Sequence, residues 1–353
     1  MDKLASLLHT TPAIVWMVGK VVVVFLSVFL LASVWTWVER RGSAMIQDRI
    51  GPNRAKLFGR WPILGLSQLL ADGIKFFFKE DLVPEAANKG LFWLAPFLAF
   101  VPALMGFAVI PVGKSFVCDG VTYHLSVLDP GNGMGLLYPL AIGGLAVYGV
   151  LLAAWSSNNK WSILGGMRAS ATMVSYEIGI SMAVVAIFMT SGGYDPSEVI
   201  KAQGHLPWTW YVVRQPLGFL VFFTCMFAET NRLPFDFAEG ESEIVAGFNT
   251  EYGSMKFSLL ALAEYSHLMT ASALVATLYF GGWQVPFVAD PPVLLSVASF
   301  LVKMLFFAWV FVWVRWTLPR FRYDQLMHLG WKIMLPLSMA NLVFHAWRMS
   351  QGH

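Results

Sequence analysis

The chain has 353 residues, 57% of them hydrophobic and only 13% charged, with a formal net charge of +3. A soluble domain carries about a quarter charged residues, so too little polar surface remains here to cover a water-soluble globule. The basic residues are dispersed between apolar runs and make no nucleic-acid footprint, and Cys118 and Cys225 lack the spacing of an iron–sulfur or zinc site.

A helix needs about 20 apolar residues to cross a bilayer core. On that ruler the sequence predicts an all-α polytopic membrane protein, a single membrane domain over residues 1–353. It has about eight transmembrane helices, roughly at 13–38, 90–112, 134–155, 170–190, 208–229, 257–282, 293–315 and 331–348. The first run lacks a cleavage-site pattern and is followed by further runs, so it is read as a retained span rather than a signal peptide. Lys and Arg crowd the loops after spans one, three, five and seven, from Arg40 to Lys89 and then at Lys160, Arg168, Arg232, Lys256, Arg315, Arg320, Arg322 and Lys332. The positive-inside rule places those loops in the cytoplasm and both termini outside.

Within the first cytoplasmic loop, Ile63, Leu66, Leu70, Ile74 and Phe77 recur at helical spacing, while Gln68, Asp72, Lys75 and Lys79 take the other face. This predicts an amphipathic interfacial helix over 62–79. The pattern fits a membrane-surface anchor, or a helix whose polar face lines a cavity for an amphiphilic ligand.

Ionisable residues inside spans cost about 2.5–3.5 kcal/mol on insertion scales and mark functional sites. Here they are Lys20, Glu177, Glu264 and Lys303, with Glu229 at a span end. Lys20 reads as a snorkelling residue. Glu177 and Glu264 lie about two turns, roughly 10 Å, inside their spans and read as proton-exchanging groups, or else as parts of structural ion pairs such as Glu264 with Lys303. His267 shares a helical face with Glu264 and is a candidate relay partner.

After the fifth span the chain runs Glu229-Thr-Asn-Arg-Leu-Pro-Phe-Asp-Phe-Ala-Glu-Gly-Glu-Ser-Glu243. Repulsion among Asp236, Glu239, Glu241 and Glu243 should spread their titrations and raise some of their pKa values. A solvated acidic loop is the ordinary alternative, but Phe235, Phe237, Ile244, Val245 and Phe248 are too apolar for one. Pro234 should also break any continuing helix. Broken backbone at membrane depth is tolerated only when buried in protein or lining a wet cavity. Nucleotide-binding and hydrolase motifs are missing, as is metal-ligand spacing among the histidines. An outer loop at Gly113 to Gly133, with Cys118, has no assigned role.

Two stretches carry a family resemblance. Gly65-Leu-Ser-Gln-Leu-Leu-Ala-Asp-Gly-Ile-Lys-Phe-Phe-Phe-Lys-Glu80 and Pro234-Phe-Asp-Phe-Ala-Glu-Gly-Glu-Ser-Glu-Ile-Val-Ala-Gly247 resemble the signature motifs of the quinone-channel membrane subunit of respiratory complex I, the family of the bacterial H-type and mitochondrial type 1 subunits of NADH-quinone oxidoreductase. Glu39-Arg-Arg, Arg49-Ile-Gly-Pro-Asn-Arg54 and Phe248-Asn-Thr-Glu-Tyr252 are similar to its first loop and to the continuation of its acidic loop.

The resemblance implies a subunit, without a redox centre and not catalytic alone, of a proton-translocating enzyme in the bacterial inner membrane, with quinone, ubiquinone or menaquinone, as substrate. FMN and iron–sulfur clusters would sit on partner subunits. The partners implied are the quinone-site subunits of the hydrophilic arm and the small membrane-arm subunits. The resemblance also implies a proton route through Glu177, Glu229, Glu239, Glu241, Glu243 and Glu264, and a quinone cavity bordered by Arg40, Arg49, Arg54, Gln68, Asp72, Lys75, Phe235 and Asp236. A related subunit of an energy-converting hydrogenase, or a stand-alone ion transporter using Glu177, Glu264 and Lys303, are the competing readings.

Overall fold

The computed structural model describes residues 2–55, 63–118, 121–128 and 135–351. In chain order the helices are α1 (Asp2–Ile46), α2 (Ser67–Phe78), α3 (Lys89–Met105), α4 (Leu137–Ser156), α5 (Lys160–Ser191), α6 (Pro196–Gln203), α7 (Tyr211–Arg214), α8 (Pro216–Glu229), α9 (Glu241–Ile244), α10 (Ser254–Tyr279), α11 (Val293–Thr317), α12 (Tyr323–His328) and α13 (Leu335–Ser350). The only strands among the described residues form a short hairpin, β1 (Phe116–Cys118) and β2 (Val121–Tyr123). It lies in the loop between α3 and α4, whose residues 119–120 and 129–134 fall outside the described set.

Helices α1, α3, α4, α5, α10 and α11 are long and apolar enough to cross a membrane, and α8 is a shorter apolar helix. The all-α polytopic class expected from composition is therefore what the chain adopts. Their outward faces are apolar, with Leu26, Leu30, Val302, Phe306 and Trp313 all exposed, as are Val343 and Phe344 on α13.

Several helices begin or end elsewhere than hydropathy alone suggests. Helix α5 starts ten residues before 170, because the Asn159 side chain accepts a hydrogen bond from the Trp161 N–H at 3.0 Å and caps it at Lys160. Helix α8 starts at Pro216 rather than 208. Gln215 leaves the helical region (φ −133, ψ 60) and ties its side chain into α5 through Ala186 O and Thr190 Oγ1. At about 1.5 Å per residue, its 14 residues fall short of a bilayer core. The final segment runs from α12 through a π-helical stretch, Leu329–Met334, into α13.

Helix α2 replaces the expected 62–79 helix. Pro62 lies outside the described residues, and a tight turn at Ile63–Gly65 precedes the helix. Gly65 is obligatory there: its φ is 86, and a Cβ would lie 2.0 Å from the Pro52 carbonyl oxygen. The turn and the Ser67 hydroxyl, bonded to the Ala55 carbonyl, lash the 49–55 loop to α2. Leu70, Ile74 and Phe77 remain exposed, as an interfacial stripe would be.

The bundle is built on α3, α4, α5 and α10: α3 packs on α4 and α10, α4 on α5, and α5 on α8 and α13. Small residues bring backbones together, as in membrane interfaces generally. A Cβ on Gly149 would lie 2.4 Å from Ala99 N, and one on Gly166 2.2 Å from the Ala154 Cβ.

Candidate functional site

Four charged side chains from four distant segments meet where α1, α10 and α11 approach the loop after α8. Arg232, fully buried, donates from Nη1 to Glu39 Oε2 at 2.6 Å, and Arg315 donates to Glu39 Oε1 at 2.6 Å. Glu264 Oε1 lies 3.0 Å from Arg232 Nε and 3.9 Å from Arg315 Nη1. The Arg232 guanidinium also stacks on Tyr265, 4.5 Å from the ring centre. Two guanidiniums against two carboxylates leave no net formal charge, the condition under which buried ions are tolerated. Burial pulls the Arg232 pKa down, but Glu39 and Glu264 outweigh it and hold the group above the ordinary arginine value.

Beside this cluster is a cavity of about 70 Å³ whose polar lining includes Glu229, Asn231, Glu239, Asn249, Glu264 and His267. One water needs about 10–15 Å³ of such volume, so several fit. His267 Nε2 lies 3.3 Å from Glu229 Oε1. Glu239 accepts from Asn249 Nδ2 at 2.7 Å, and its backbone N–H donates to Asp236 Oδ1 at 3.4 Å. Burial, then repulsion from Glu264 and Asp236, push the Glu239 carboxyl up to about 8 against the pull of Arg315 and Asn249. This environment favours the protonated form of Glu239.

The loop backbone that presents Glu239 is held by Gly247. This glycine has φ 55, and a Cβ on it would lie 1.7 Å from the Ala238 carbonyl oxygen. Phe235 is buried, with ring centres 5.7 Å from Tyr176 and 5.8 Å from Phe321, so this acidic segment is anchored in the core rather than freely solvated.

The remaining candidates divide. Glu243 faces away from the cavity lining, paired with Arg168 at 2.7 Å and Arg320 at 3.8 Å. The side chain of Glu241 lies outside the described residues. Glu177, on α5, lines an outward cleft with Gly144, Tyr148, Ser170 and Val174.

At the edge of the bundle Arg40 Nη1 meets Asp72 Oδ2 at 2.5 Å, and Gln68 Nε2 donates to Asp72 Oδ1 at 2.9 Å. Arg49 bonds to Gln47 at 2.7 Å, Lys75 lies 4.3 Å from the Phe76 ring centre, and Arg54 is exposed. Glu39 and Arg40 are consecutive on α1, about 100° apart around the helix. One reaches the buried cluster and the other reaches α2.

Sequence reasoning missed Glu39, Arg232, Arg315 and Asn249 as site residues. Glu39 falls one residue beyond the expected first span, and the two arginines read as topology signals. The suggested Glu264–Lys303 pair does not form. Lys303 Nζ instead donates to the carbonyls of Phe280, Gly282 and Gln284 at 2.8, 2.9 and 2.6 Å, capping the end of α10, while Glu264 pairs with arginine. Among the described residues, no group of three or more His, Cys, Asp or Glu is arranged to hold a metal ion.

The family model for NADH dehydrogenase matches residues 19–346. An H-type subunit of NADH-quinone oxidoreductase from Cytophaga hutchinsonii is 44% identical over 92% of this chain and 93% of its own length. The H-type subunit of the enzyme from Leptospira biflexa is 45% identical, covering 92% of each chain. One from Geobacter sulfurreducens is 44% identical, covering 93% of each. With matches over more than nine tenths of its length, the chain belongs to the NADH dehydrogenase family.

Proposed function

We propose that this chain is the H-type membrane subunit of a proton-translocating NADH-quinone oxidoreductase in a bacterial inner membrane. In that role it borders the quinone cavity and passes protons between that cavity and the membrane arm. It is a subunit of an enzyme and is not catalytic alone. FMN and iron–sulfur clusters on partner subunits deliver the electrons. Quinone takes up two electrons and two protons to become quinol, so each turnover draws protons from groups near the cavity.

The observation that carries this reading is the joint opening of Glu229, Glu239 and Glu264 onto one internal cavity, with the Glu239 carboxyl poised near neutrality. A group with a pKa near the operating pH exchanges protons most effectively. The Arg232 and Arg315 cluster ties the cavity to Glu39, and hence to Arg40, Asp72 and Gln68 on the side where a quinone would enter along α2. In this reading Arg40, Arg49, Arg54 and Lys75 supply donors for quinone carbonyl oxygens, and Phe235 and Asp236 belong to the inner end of the cavity.

Membranes carrying Glu239→Gln test the assignment. NADH oxidation by an artificial acceptor on the hydrophilic arm should persist, while quinone reduction and proton pumping both fall sharply. Normal pumping by this variant would remove Glu239 from the route. Copurification of the chain without a flavin-containing, NADH-oxidising module would overturn the assignment as a whole.

A further inference from the structure

Helix α4 runs between the internal cavity and the flank of the protein, beside α5, whose Met173 lines the cavity and whose Val174 lines the cleft. Ala146 and Val150 face the cavity. Gly144, Leu145 and Tyr148 face the cleft beside α5 that holds Glu177. Tyr148 and Val174 are 58% and 52% exposed, so the cleft opens on the surface. A helix with side chains is about 10–12 Å across, whereas its backbone alone has a radius of about 2.3 Å. Where α4 is glycine, it thins to backbone.

Two consecutive glycines, Gly143 and Gly144, occupy the interior of α4, where glycine is destabilising relative to alanine. Their surroundings supply a reason. A Cβ on Gly143 would lie 3.0 Å from Oε1 of Glu229, and one on Gly144 would lie 2.9 Å from Oε1 and 3.6 Å from Oε2 of Glu177. Carboxylates from the end of α8 and the middle of α5 therefore press on adjacent residues of a third helix. On the cavity side Glu229 also faces His267 across 3.3 Å, and on the flank side Glu177 lines the cleft.

We infer that Gly143 and Gly144 are positioning residues of the proton route. Together they form a notch without side chains that seats Glu229 and Glu177 side by side and makes this point of α4 the crossing from the cavity to the flank. The inference rests on the carboxylate route proposed above. A side chain in the notch would displace one carboxylate while leaving its chemistry intact.

The test uses the intact complex in membrane vesicles, with artificial-acceptor activity measuring the amount assembled. Misplacement by about 1 Å can cost on the order of 100-fold, so Gly144→Val should lower proton pumping per assembled complex at least about tenfold. Adding Glu177→Asp, one methylene shorter, should restore a large part of it, which relief of a mere packing defect elsewhere on α4 would not do. Gly143→Val with Glu229→Asp is the parallel arm and stands in if Gly144→Val fails to assemble. If Glu177→Gln and Glu229→Gln stop pumping while both valine variants pump normally, the notch is overturned and the carboxylate route stands. If both Gln variants pump normally, route and notch fall together. Loss in a valine variant that shortening the facing carboxylate leaves unchanged also overturns the positioning role.

Discussion

Arg232 and Glu39, 193 residues apart in sequence, meet at 2.6 Å with both side chains almost wholly buried. Removing one partner of such a pair leaves an uncompensated charge, at a cost of about 3–5 kcal/mol. Arg232→Met should therefore yield little assembled complex and a lowered unfolding temperature. The double variant Glu39→Leu/Arg232→Met leaves Glu264 opposite Arg315 and should recover most of the lost stability, a non-additivity expected of residues in one network. Additive losses in a thermal-unfolding cycle would mean that the four charges do not act as a unit.

Burial and the neighbouring carboxylates push the Glu239 carboxyl up to about 8 in the folded chain, against about 4.3 for a free glutamate. The folded state therefore holds a proton that the unfolded state lacks, and this group's contribution to stability is fully present only below the unfolded value. It is lost as pH rises between roughly 4 and 8. Glu239→Gln should flatten the fall in unfolding temperature over that interval. Infrared difference spectra between neutral and alkaline pH should lose one protonated-carboxyl band in the variant. An unchanged band would assign the titration to another residue.

Asp72 holds Arg40 and Gln68 at the edge of the bundle. Partly exposed pairs contribute about 0–1 kcal/mol, so Asp72→Leu should assemble with little change in stability. It should nevertheless depress quinone-dependent turnover more than oxidation of NADH by an artificial acceptor. Equal loss of both activities would return Asp72 to a structural role.

Lys303 satisfies three carbonyls at the end of α10. Each carbonyl left buried without a donor costs about 1–3 kcal/mol. Lys303→Met should lower complex yield and thermal stability, whereas the ratio of pumped protons to NADH in the surviving complex should stay at the wild-type value. A changed ratio would place Lys303 on the proton route.

If positive residues orient the chain, Asp48 at the end of α1 faces the cytoplasm, and Asp290, before α11, faces outward. Cysteine at position 290 should react with an impermeant reagent on intact cells, and cysteine at position 48 should not. The reverse pattern would invert the topology.

Much of this arrangement can be read from local pattern. The stripe of α2 is visible because its exposed face repeats every three or four residues. The acidic loop stands out because four carboxylates fall in eight residues of otherwise apolar chain. What local pattern leaves out is pairing across the chain. Arg232 and Arg315 look like boundary charges until Glu39 is brought to them, and Lys303 reads as an ion-pair partner until the turn at 280–284 supplies carbonyls. That Glu177 lines the flank cleft while Glu229 lines the cavity depends on how α4, α5 and α8 pack, and no residue of α5 alone reports that.

The reach of the Glu39 contacts also bears on how the protein is made. Arg315 follows Glu39 by 276 residues, and at a synthesis rate of about 5–20 residues per second it leaves the ribosome roughly 14–55 s later. Arg232 follows Glu39 by 193 residues, so until it emerges Glu39 is at the end of an inserted span with neither guanidinium available, and after that with only one. The nascent chain must therefore keep α1 close to water or sheltered by the insertion machinery. Only when α11 arrives does the four-charge cluster close, locking the first helix to the later ones as a late checkpoint of biogenesis.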